Sequence, residues 1–534
     1  MKRGIVVAPQ PEAVEVGARI YMAGGNAVDA AIATAFAQGV VDGLMCGIAG
    51  LGSCQIYAPK HGRHEMIDFY CRAPFAARAD MWTDLIEYQT RDGFSFVLKN
   101  RVNDLGYGAI ATPGAVAGFH DVHSRYGRLK WEDILAPAVR LAEVGYTVTP
   151  FVHTYWQSRE GLGRVDPIDR MQFSRSAAPL FFGPDGGLHP VGTRVKNPAY
   201  GRTLRRIATE GPDVFYRGAI AKEMIADLRA KGGLLSPEDL DRYRIVEGVP
   251  VKIAYRGHEV SVNPPPGGGL VLAKMLNILE CFDLAGMGHN APAYIRTVSE
   301  AMKRAMLMKE KHLGDPEVVP VPVAEIIDKE RARAEAEEIR RGKKASLVRE
   351  GLKEAADTTH LVAMDADGLT LTMTHTLGYQ SGVITDGLGF MYNGAMGFFD
   401  PRPGHPSSIA PGKSRGSTAC PTIVSKDGKP ILALGAPGGA QIPMGVLQVI
   451  LNVVDHGMSV VEAIDAPRFS STSDAIDLCF RIPGYVAEAL EAEGYRVVRQ
   501  PYSYAFARVH AVHAAGGRVT GGADPYAGGM ALIV

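Results

Sequence analysis

Residues 357–377 read DTTHLVAMDADGLTLTMTHTL, and this stretch decides the fold. Alternating strands at Thr359–Met364 and Leu369–Thr376 flank an Asp-Gly turn, a pattern that predicts a β-hairpin. In the second strand threonines alternate with leucine, methionine and histidine, so one face carries hydroxyl groups and the other is apolar. The hairpin begins directly after the pair Asp357-Thr358.

Thr358 becomes a reactive group only if the chain is cut in front of it. A threonine hydroxyl in mid-chain is a poor nucleophile, because no neighbouring group in the sequence accepts its proton. A cut between Asp357 and Thr358 would give Thr358 a free α-amine, whose pKa of about 7.7–8.0 suits a base near neutral pH. Nucleophile and base would then belong to one residue. Most Thr-Thr pairs only edge a strand, so the pair alone does not specify this chemistry.

A second hairpin leads to a glycine-rich turn. The strands Pro421–Val424 and Ile431–Leu434 flank another Asp-Gly pair, and residues 435–439 read GAPGG before a helix from about Met444 to Asp455. Consecutive glycine N–H groups at the start of a helix can bind an anion or a developing oxyanion. Gly438 and Gly439 are therefore candidates for an oxyanion hole.

Composition excludes several classes of partner. The chain has 534 residues, with 57 Lys and Arg balanced by 57 Asp and Glu, so no overall field favours nucleic acid or an anionic membrane. No apolar run reaches the roughly 20 residues of a membrane span. The start lacks a signal-peptide pattern, and the six cysteines form no CxxC pair, so we expect a cytoplasmic protein with reduced, mostly buried thiols.

The sequence predicts no cofactor and no metal. Residues 47–52 read GIAGLG, which is not a dinucleotide fingerprint. The histidine pairs His61/His64 and His120/His123 lack an acid or cysteine set that would complete a metal site, so we interpret them as solvated surface residues.

The segments before the first hairpin are mainly helical. Asn26 is a plausible N-cap of an Ala-rich helix, and residues 110–250 read as helices broken by Pro and Gly, with a helix start at Ser236. A further helix is predicted at Leu270–Phe282. The charged segment 326–354 predicts a solvated helix and an exposed linker, where a chain end can be released without disturbing a core.

Ordered motifs along most of the chain resemble the γ-glutamyltranspeptidase family of N-terminal-nucleophile hydrolases. The motifs are Ala23-Gly24-Gly25-Asn26-Ala27-Val28-Asp29-Ala30-Ala31, Ala111-Thr112-Pro113-Gly114, Tyr126-Gly127, Pro264-Pro265-Pro266, Leu313-Gly314-Asp315-Pro316, Asp357-Thr358-Thr359-His360, Pro421-Thr422-Ile423-Val424, Pro437-Gly438-Gly439, Leu447-Gln448-Val449-Ile450-Leu451-Asn452, Ala466-Pro467-Arg468-Phe469 and Ala523-Asp524-Pro525.

The resemblance implies an α+β fold, a four-layer αββα sandwich, made as a proenzyme that cuts itself between Asp357 and Thr358. Residues 1–357 and 358–534 would form the large and small subunits of one intertwined domain. In the family pattern Thr358 is the nucleophile and Thr376 hydrogen-bonds it. Gly438 and Gly439 would supply the oxyanion hole, and Ser417 and Thr418 would contact the carboxylate end of the substrate.

This sequence departs from the family where a γ-glutamyl group is recognised. The family arginine follows Asp-Phe, but here Tyr70 stands there and the nearest arginine is Arg72, which shares a strand face with it. Arg72 could still reach a substrate carboxylate from a shifted origin.

The family's anionic site is lost more clearly. Phe398 stands where the family has its ammonium-binding acid, Ala395 replaces its polar neighbour, and Gly378 replaces a polar side chain. An ammonium buried against Phe398 without a counter-ion costs several kcal/mol, which a cation–π attraction of about 0.5–2 kcal/mol does not offset.

We therefore expect the catalytic groups to remain while γ-glutamyl recognition is lost. The expected substrate is a small-molecule amide whose acyl part lacks an α-ammonium, such as a small dicarboxylic monoamide or a glutaryl-type amide. Acylases for cephalosporin side chains and amidohydrolases for oxamate share the family. Residues 400–416 are short and Pro-rich, without room for a folded lid.

Three alternatives stay open. The first is a γ-glutamyltransferase or glutathione hydrolase. The second is a serine hydrolase, because residues 412–416 read GKSRG and place Ser414 in a GxSxG pattern, although a preceding strand and a following helix are not evident. The third is a non-catalytic binding relative, which loss of Thr358 or of the glycine pair would indicate; both are present.

Overall fold

The hairpin after Thr358 lies at the centre of the larger of two antiparallel sheets. The computed structural model describes residues 3–91, 93, 95–159, 163–349, 358–501 and 506–534. The strands are β1 (Gly4–Ala8), β2 (Leu51–Ala58), β3 (Arg63–Phe69), β4 (Ile86–Gln89), β5 (Phe96–Leu98), β6 (Tyr146–Thr147), β7 (Arg194–Val195), β8 (Val246–Gly248), β9 (Val251–Tyr255), β10 (His258–Val262), β11 (Thr359–Asp365), β12 (Thr370–Thr376), β13 (Thr422–Lys426), β14 (Lys429–Gly435), β15 (Phe469–Ser470), β16 (Ala475–Cys479), β17 (Arg496–Gln500), β18 (His510–Ala515), β19 (Arg518–Ala523) and β20 (Met530–Ile533).

Helices cover the outer faces of these sheets. They are α1 (Pro11–Met22), α2 (Ala27–Val41), α3 (Ala115–Tyr126), α4 (Trp131–Val144), α5 (Pro150–Trp156), α6 (Pro167–Phe173), α7 (Ala178–Phe181), α8 (Pro198–Glu210), α9 (Asp213–Tyr216), α10 (Ala219–Ala230), α11 (Pro237–Asp241), α12 (Gly269–Leu279), α13 (Leu284–Met287), α14 (Pro292–His312), α15 (Val323–Ile326), α16 (Lys329–Arg340), α17 (Ile442–Val454), α18 (Val460–Asp465) and α19 (Gly484–Ala492).

The two sheets stack face to face. The larger sheet has the order β20-β1-β11-β12-β2-β3-β8, and the second has the order β19-β18-β14-β13-β10-β9. Apolar side chains such as Val362 of the first sheet and Ile423 of the second form a buried layer between them. The outer core of the first sheet includes α1 and α2, and that of the second includes α12, α14 and α17. The predicted αββα sandwich is confirmed.

Each of the two large sheets combines strands from before and after position 358. In the larger sheet β1 lies between β20 and β11, and β12 lies between β11 and β2. In the second sheet β10 pairs with β13. Neither the residues before 358 nor those after it therefore form either of these two sheets alone.

Local predictions agree closely with the elements observed. Both predicted hairpins form, with β11 opposite β12 and β13 opposite β14. Asn26 caps α2 in a capping box with Asp29. The six cysteines are free, and all except Cys281 are buried, which confirms the prediction of mostly buried thiols. None of the described helices is long and apolar enough to cross a membrane.

Two surface predictions were wrong in part. His123 is buried, with its ring 3.2 Å from a carboxylate oxygen of Asp29, so it is not a solvated histidine. The linker after α16 is exposed at Lys343 and Lys344. Leu347 is buried, however, and its carbonyl accepts a hydrogen bond from the N–H of Asp474 at 3.0 Å.

Candidate active site

Thr358 and Thr376 face each other at one end of the central hairpin. Thr359 lies opposite His375 in the β11–β12 register, so the next positions bring Thr358 opposite Thr376. The two hydroxyl oxygens lie 3.3 Å apart, and the N–H of Gly378 donates to the Thr376 hydroxyl at 2.7 Å. Both threonines are almost fully buried. Asp357, the predicted partner in self-cleavage, lies outside the described residues.

The glycine-rich turn follows β14 next to this hairpin. Gly438 has a φ of 142° and Gly439 a φ of 53°, backbone conformations that favour glycine. Within the part of the chain that the structure describes, neither glycine N–H donates a hydrogen bond. The hydroxyl of Thr418 donates to the Gly439 carbonyl at 2.7 Å, which fixes the turn. Two unpaired N–H groups are the donors that an oxyanion hole needs.

His360 joins the two sheets under the site. Its ring nitrogens lie 2.8 Å from the Thr374 hydroxyl and 3.0 Å from the Thr372 hydroxyl, and Thr372 also donates to the Leu434 carbonyl. A Cβ at Gly435 would lie 2.2 Å from the His360 ring, so only glycine fits. Burial holds the pKa of His360 well below its usual range, so the ring is neutral.

Phe398 belongs to a stack of four planar groups. The Phe398 ring stacks on the Tyr379 ring with centroids 4.1 Å apart, and the Arg415 guanidinium lies 4.2 Å from the Phe398 centroid. The Arg164 guanidinium lies 3.4 Å from the Tyr379 centroid. The order of the stack is therefore Arg415, Phe398, Tyr379 and Arg164, with a guanidinium at each end and two aromatic rings between them. Cation–π attraction stabilises such an arrangement.

Arg415 is one of three members of this stack, with Tyr379 and Arg164, that the sequence patterns did not single out. Its side chain is 2% exposed, and its Nε–H donates to the Gly416 carbonyl at 2.7 Å. A Cβ at Gly378 would lie 3.4 Å from an Arg415 terminal nitrogen and 2.7 Å from the Phe398 ring. Burial lowers the pKa of Arg415 to about 10, so it stays charged at neutral pH.

Tyr70 enters a buried polar network instead of replacing an arginine directly. Its hydroxyl accepts a hydrogen bond from the Asn263 side chain at 3.0 Å, and it also interacts with Ser53 and Ser417. Nearby Asp68 is fully buried, and burial raises its pKa to about 7. Ser417 is thus linked to Tyr70, while Thr418 is linked to the glycine turn.

Arg72, the arginine nearest in sequence to the family position, forms an ion pair with a carboxylate of the protein. Its guanidinium pairs with Glu317 at 2.9 Å and donates to the Gly412 carbonyl at 3.3 Å. Arg72 therefore already has a carboxylate partner in the protein, and its contact with a substrate carboxylate stays a prediction. Arg415, two residues before Ser417 in sequence, is the buried arginine beside Phe398.

The remaining candidates have defined surroundings. Ala395 is fully buried at the start of a 3₁₀ turn and donates its N–H to Asn393 at 3.1 Å. Asp400 binds Arg402 through both carboxylate oxygens, at 2.9 and 2.7 Å, so it does not replace the missing acid. Ser414 is buried outside any strand-to-helix turn, which argues against a nucleophile elbow.

A cavity of about 540 Å³ opens beside these residues. Its walls include Pro266, Phe398, Arg402, His405, Gly416, Ser417 and Thr418. Phe398 and Thr418 connect the cavity to Gly378 and Gly439 respectively. Among the described residues, no group of three or more His, Cys, Asp or Glu side chains is arranged to hold a metal ion.

Comparison with known proteins identifies the family. Residues 13–534 match the family described as Gamma-glutamyltranspeptidase. The chain is 38% identical over 506 residues to the Acylase ACY 1 proenzyme of Pseudomonas sp. (strain V22), covering 93% of this chain and 88% of that protein. It is 33% identical over 486 residues to the glutathione hydrolase proenzyme of Escherichia coli (strain K12), covering 88% and 81%.

Solved structures agree. The crystal structure of cephalosporin acylase from Bacillus halodurans is similar with a TM-score of 0.88 and 30% identity, over 99% of this chain and 96% of that one. This chain belongs to the γ-glutamyltranspeptidase family, and its fold is that of the family's N-terminal-nucleophile hydrolases. The predicted family and enzyme class, an amide hydrolase or acyltransferase, are confirmed.

Proposed function

We propose that this member of the γ-glutamyltranspeptidase family cuts its chain between Asp357 and Thr358 and then cleaves amides through an acyl-enzyme on Thr358. The observation that carries the proposal is the contact of 3.3 Å between the hydroxyls of Thr358 and Thr376 at the start of a central strand. The relatives from Pseudomonas sp. and E. coli are both named proenzymes, which supports a working unit made of two fragments of one precursor.

The residues divide the chemistry as follows. In the cut chain the Thr358 α-amine accepts the hydroxyl proton while the oxygen attacks the amide carbon. The N–H groups of Gly438 and Gly439 stabilise the resulting oxyanion, and Thr376 orients the nucleophile. The protonated amine gives its proton to the leaving amine, which departs and leaves an ester on Thr358. Water or an acceptor amine then attacks the ester, releases the acyl product and restores the hydroxyl.

We propose further that the acyl group lacks an α-ammonium. Phe398 stands where the family acid is expected, and its ring is covered by Tyr379 on one side and contacted by a guanidinium. A second cation placed there would meet the Arg415 guanidinium, with which no carboxylate of the described residues forms an ion pair, and this like-charge contact raises the free energy of the complex. The names of the acylase relatives support this class of substrate. Small dicarboxylic monoamides and glutaryl-type amides satisfy the requirement.

The experiment is intact-mass spectrometry of wild-type protein and of Thr358→Ala. Wild-type protein should give two fragments, the smaller beginning at Thr358, whereas Thr358→Ala should remain a single chain of 57.2 kDa. After mixing with glutaryl-p-nitroanilide, an acyl adduct should appear on the smaller fragment. An uncut but active wild-type protein, or an adduct on the larger fragment, would contradict the mechanism.

Glutathione hydrolase activity is the second candidate, because the E. coli relative that carries this name is 33% identical. The same measurement with γ-glutamyl-p-nitroanilide separates the two functions. We expect a kcat/KM for the glutaryl anilide at least tenfold above that for the γ-glutamyl anilide. Rapid γ-glutamyl turnover would refute the proposed acyl preference while leaving the role of Thr358 intact.

A further inference from the structure

We propose that Arg415 is the specificity-determining residue of this site and binds a free carboxylate on the acyl part of the substrate. The inference rests on the proposed function, since it concerns the same acyl group. It goes beyond that function because it assigns a binding site for a free carboxylate of the acyl group, where the proposed function states only that an α-ammonium is not bound. The enzyme would then select monoamides of dicarboxylic acids over uncharged amides.

The first argument is the unmet hydrogen-bonding capacity of Arg415. A guanidinium carries five N–H donors. Only the Nε–H of Arg415 has a partner among the described residues, the Gly416 carbonyl. Arg415 is nevertheless only 2% exposed, and burying a charge without a counter-ion is costly. A substrate carboxylate would supply two acceptors in the geometry that a guanidinium fits best.

The second argument is that nearby arginines are already paired. Arg164, at the other end of the stack, binds Asp104 at 2.7 Å. Arg402, on the cavity wall, binds Asp400 at 2.7 Å, and Arg72 binds Glu317 at 2.9 Å. In the described part of the chain no carboxylate lies within 4.0 Å of Arg415. Its charge is therefore available to a ligand, whereas theirs are neutralised by the protein.

The third argument is position. A terminal nitrogen of Arg415 approaches Gly378, and the Gly378 N–H contacts the Thr376 hydroxyl, which contacts Thr358. Phe398, whose ring the guanidinium contacts, and Gly416, whose carbonyl accepts the Arg415 Nε–H, both line the cavity. The absence of a side chain at Gly378 leaves this approach open. Substrate bound in the cavity with its amide at Thr358 would thus direct its acyl end toward Arg415.

The test compares charged and uncharged substrates of equal size. The substrates are the p-nitroanilides of succinic and glutaric acid, and the matched anilides in which the free carboxylate is a carboxamide. The variants are Arg415→Met and Arg415→Lys. The control is Arg242→Met, which removes an exposed arginine that also stacks on a phenylalanine, Phe75, with 4.4 Å to the centroid. Self-cleavage into two fragments serves as the check of folding.

We expect Arg415→Met to lower kcat/KM for the carboxylate anilides by about a hundredfold or more, and for the carboxamide anilides by less than fivefold. Arg415→Lys should retain about a tenth of the wild-type kcat/KM for the carboxylate anilides. Lysine keeps the positive charge but lacks the paired N–H donors with which a guanidinium binds both oxygens of a carboxylate. Arg242→Met should behave as wild type. Equal losses on both substrate types would overturn the inference.

A measurement on unmodified protein supports or overturns the inference without any variant. Glutarate should inhibit the wild-type enzyme at least tenfold more strongly than glutaramide. Equal inhibition by the two compounds, or equal kcat/KM for the charged and uncharged anilides, would overturn the role of Arg415 alone. Failure of every anilide to acylate the fragment that begins at Thr358 would overturn the proposed function and this inference with it.

Discussion

Replacing Phe398 by aspartate should convert the acyl site into one that accepts a zwitterion. Phe398→Asp puts a carboxylate beside Arg415, whose guanidinium contacts the ring at 4.2 Å. The α-ammonium and α-carboxylate of a γ-glutamyl group are neighbours on one carbon, so an adjacent carboxylate and guanidinium match them. We therefore expect Phe398→Asp to gain γ-glutamyl turnover and to lose glutaryl turnover.

The magnitude follows from Coulomb's law. An ammonium about 4 Å from the new carboxylate gains about 4 kcal/mol at an effective dielectric constant of about 20. Loss of the cation–π contact and desolvation of the new acid offset part of this gain, which leaves about 1–3 kcal/mol, or about tenfold to a hundredfold in kcat/KM. The same carboxylate repels a glutaryl carboxylate about 6 Å away by about 3 kcal/mol, a loss of about a hundredfold.

The assay is the ratio of kcat/KM for γ-glutamyl-p-nitroanilide to that for glutaryl-p-nitroanilide. Phe398→Asp should raise this ratio by about a thousandfold to ten-thousandfold, whereas Phe398→Leu, which removes the ring without adding charge, should leave it within about fivefold of wild type. Adding Arg415→Met to Phe398→Asp should abolish the γ-glutamyl gain, because the α-carboxylate loses its partner. An unchanged ratio in Phe398→Asp, or a gain that survives Arg415→Met, would refute the reasoning.

Three further predictions concern the hydroxyl of Thr376 and the buried carboxyl groups of Asp104 and Asp68. Thr376→Val removes the hydroxyl 3.3 Å from Thr358 and should slow self-cleavage and acylation by about tenfold to a thousandfold, as time courses on denaturing gels will show; an unchanged rate contradicts this. Asp104→Asn leaves two buried arginines unpaired and should lower the free energy of unfolding by about 3–5 kcal/mol in denaturant titrations at pH 7. In wild type the arginines lower the pKa of Asp104 to about 2, so this stabilisation is present above about pH 4 and lost toward pH 2. Asp68→Asn should stabilise the protein more at pH 8 than at pH 4, because the raised pKa of about 7 makes ionised Asp68 unfavourable as the pH rises from about 4 to 7; an equal effect at both pH values argues against it.

The parts of the fold predicted from sequence depend on short-range patterns. Alternation and Asp-Gly turns predicted β11 with β12 and β13 with β14, and both pairs form. Asn26 caps α2 because its side chain and that of Asp29 satisfy N–H groups within one turn. Such interactions join residues close in sequence, so the sequence shows both partners together.

The acyl site depends on contacts that no local pattern contains. Arg415 lies in an irregular segment, and its guanidinium packs on the Phe398 ring, which in turn stacks on Tyr379. Strand alternation pointed to Arg72, the arginine closest in sequence to the family's position, yet Arg72 pairs with Glu317. The buried His123 shows the same limit, because its partner Asp29 comes from another helix.

The meaning of Phe398 therefore changes once its neighbours are known. From sequence alone, the aromatic ring signals only that an acid is missing and that an ammonium is not bound. In the fold, the ring is the surface on which Arg415 rests, so the substitution exchanges the sign of the charge presented to the acyl group. A phenyl ring at position 398 holds the Arg415 guanidinium by cation–π attraction and leaves its charge for the substrate, whereas an acid there would add a second site of opposite sign beside it. A site with Phe398 and Arg415 together is for this reason an anion site, and neither residue alone would define it.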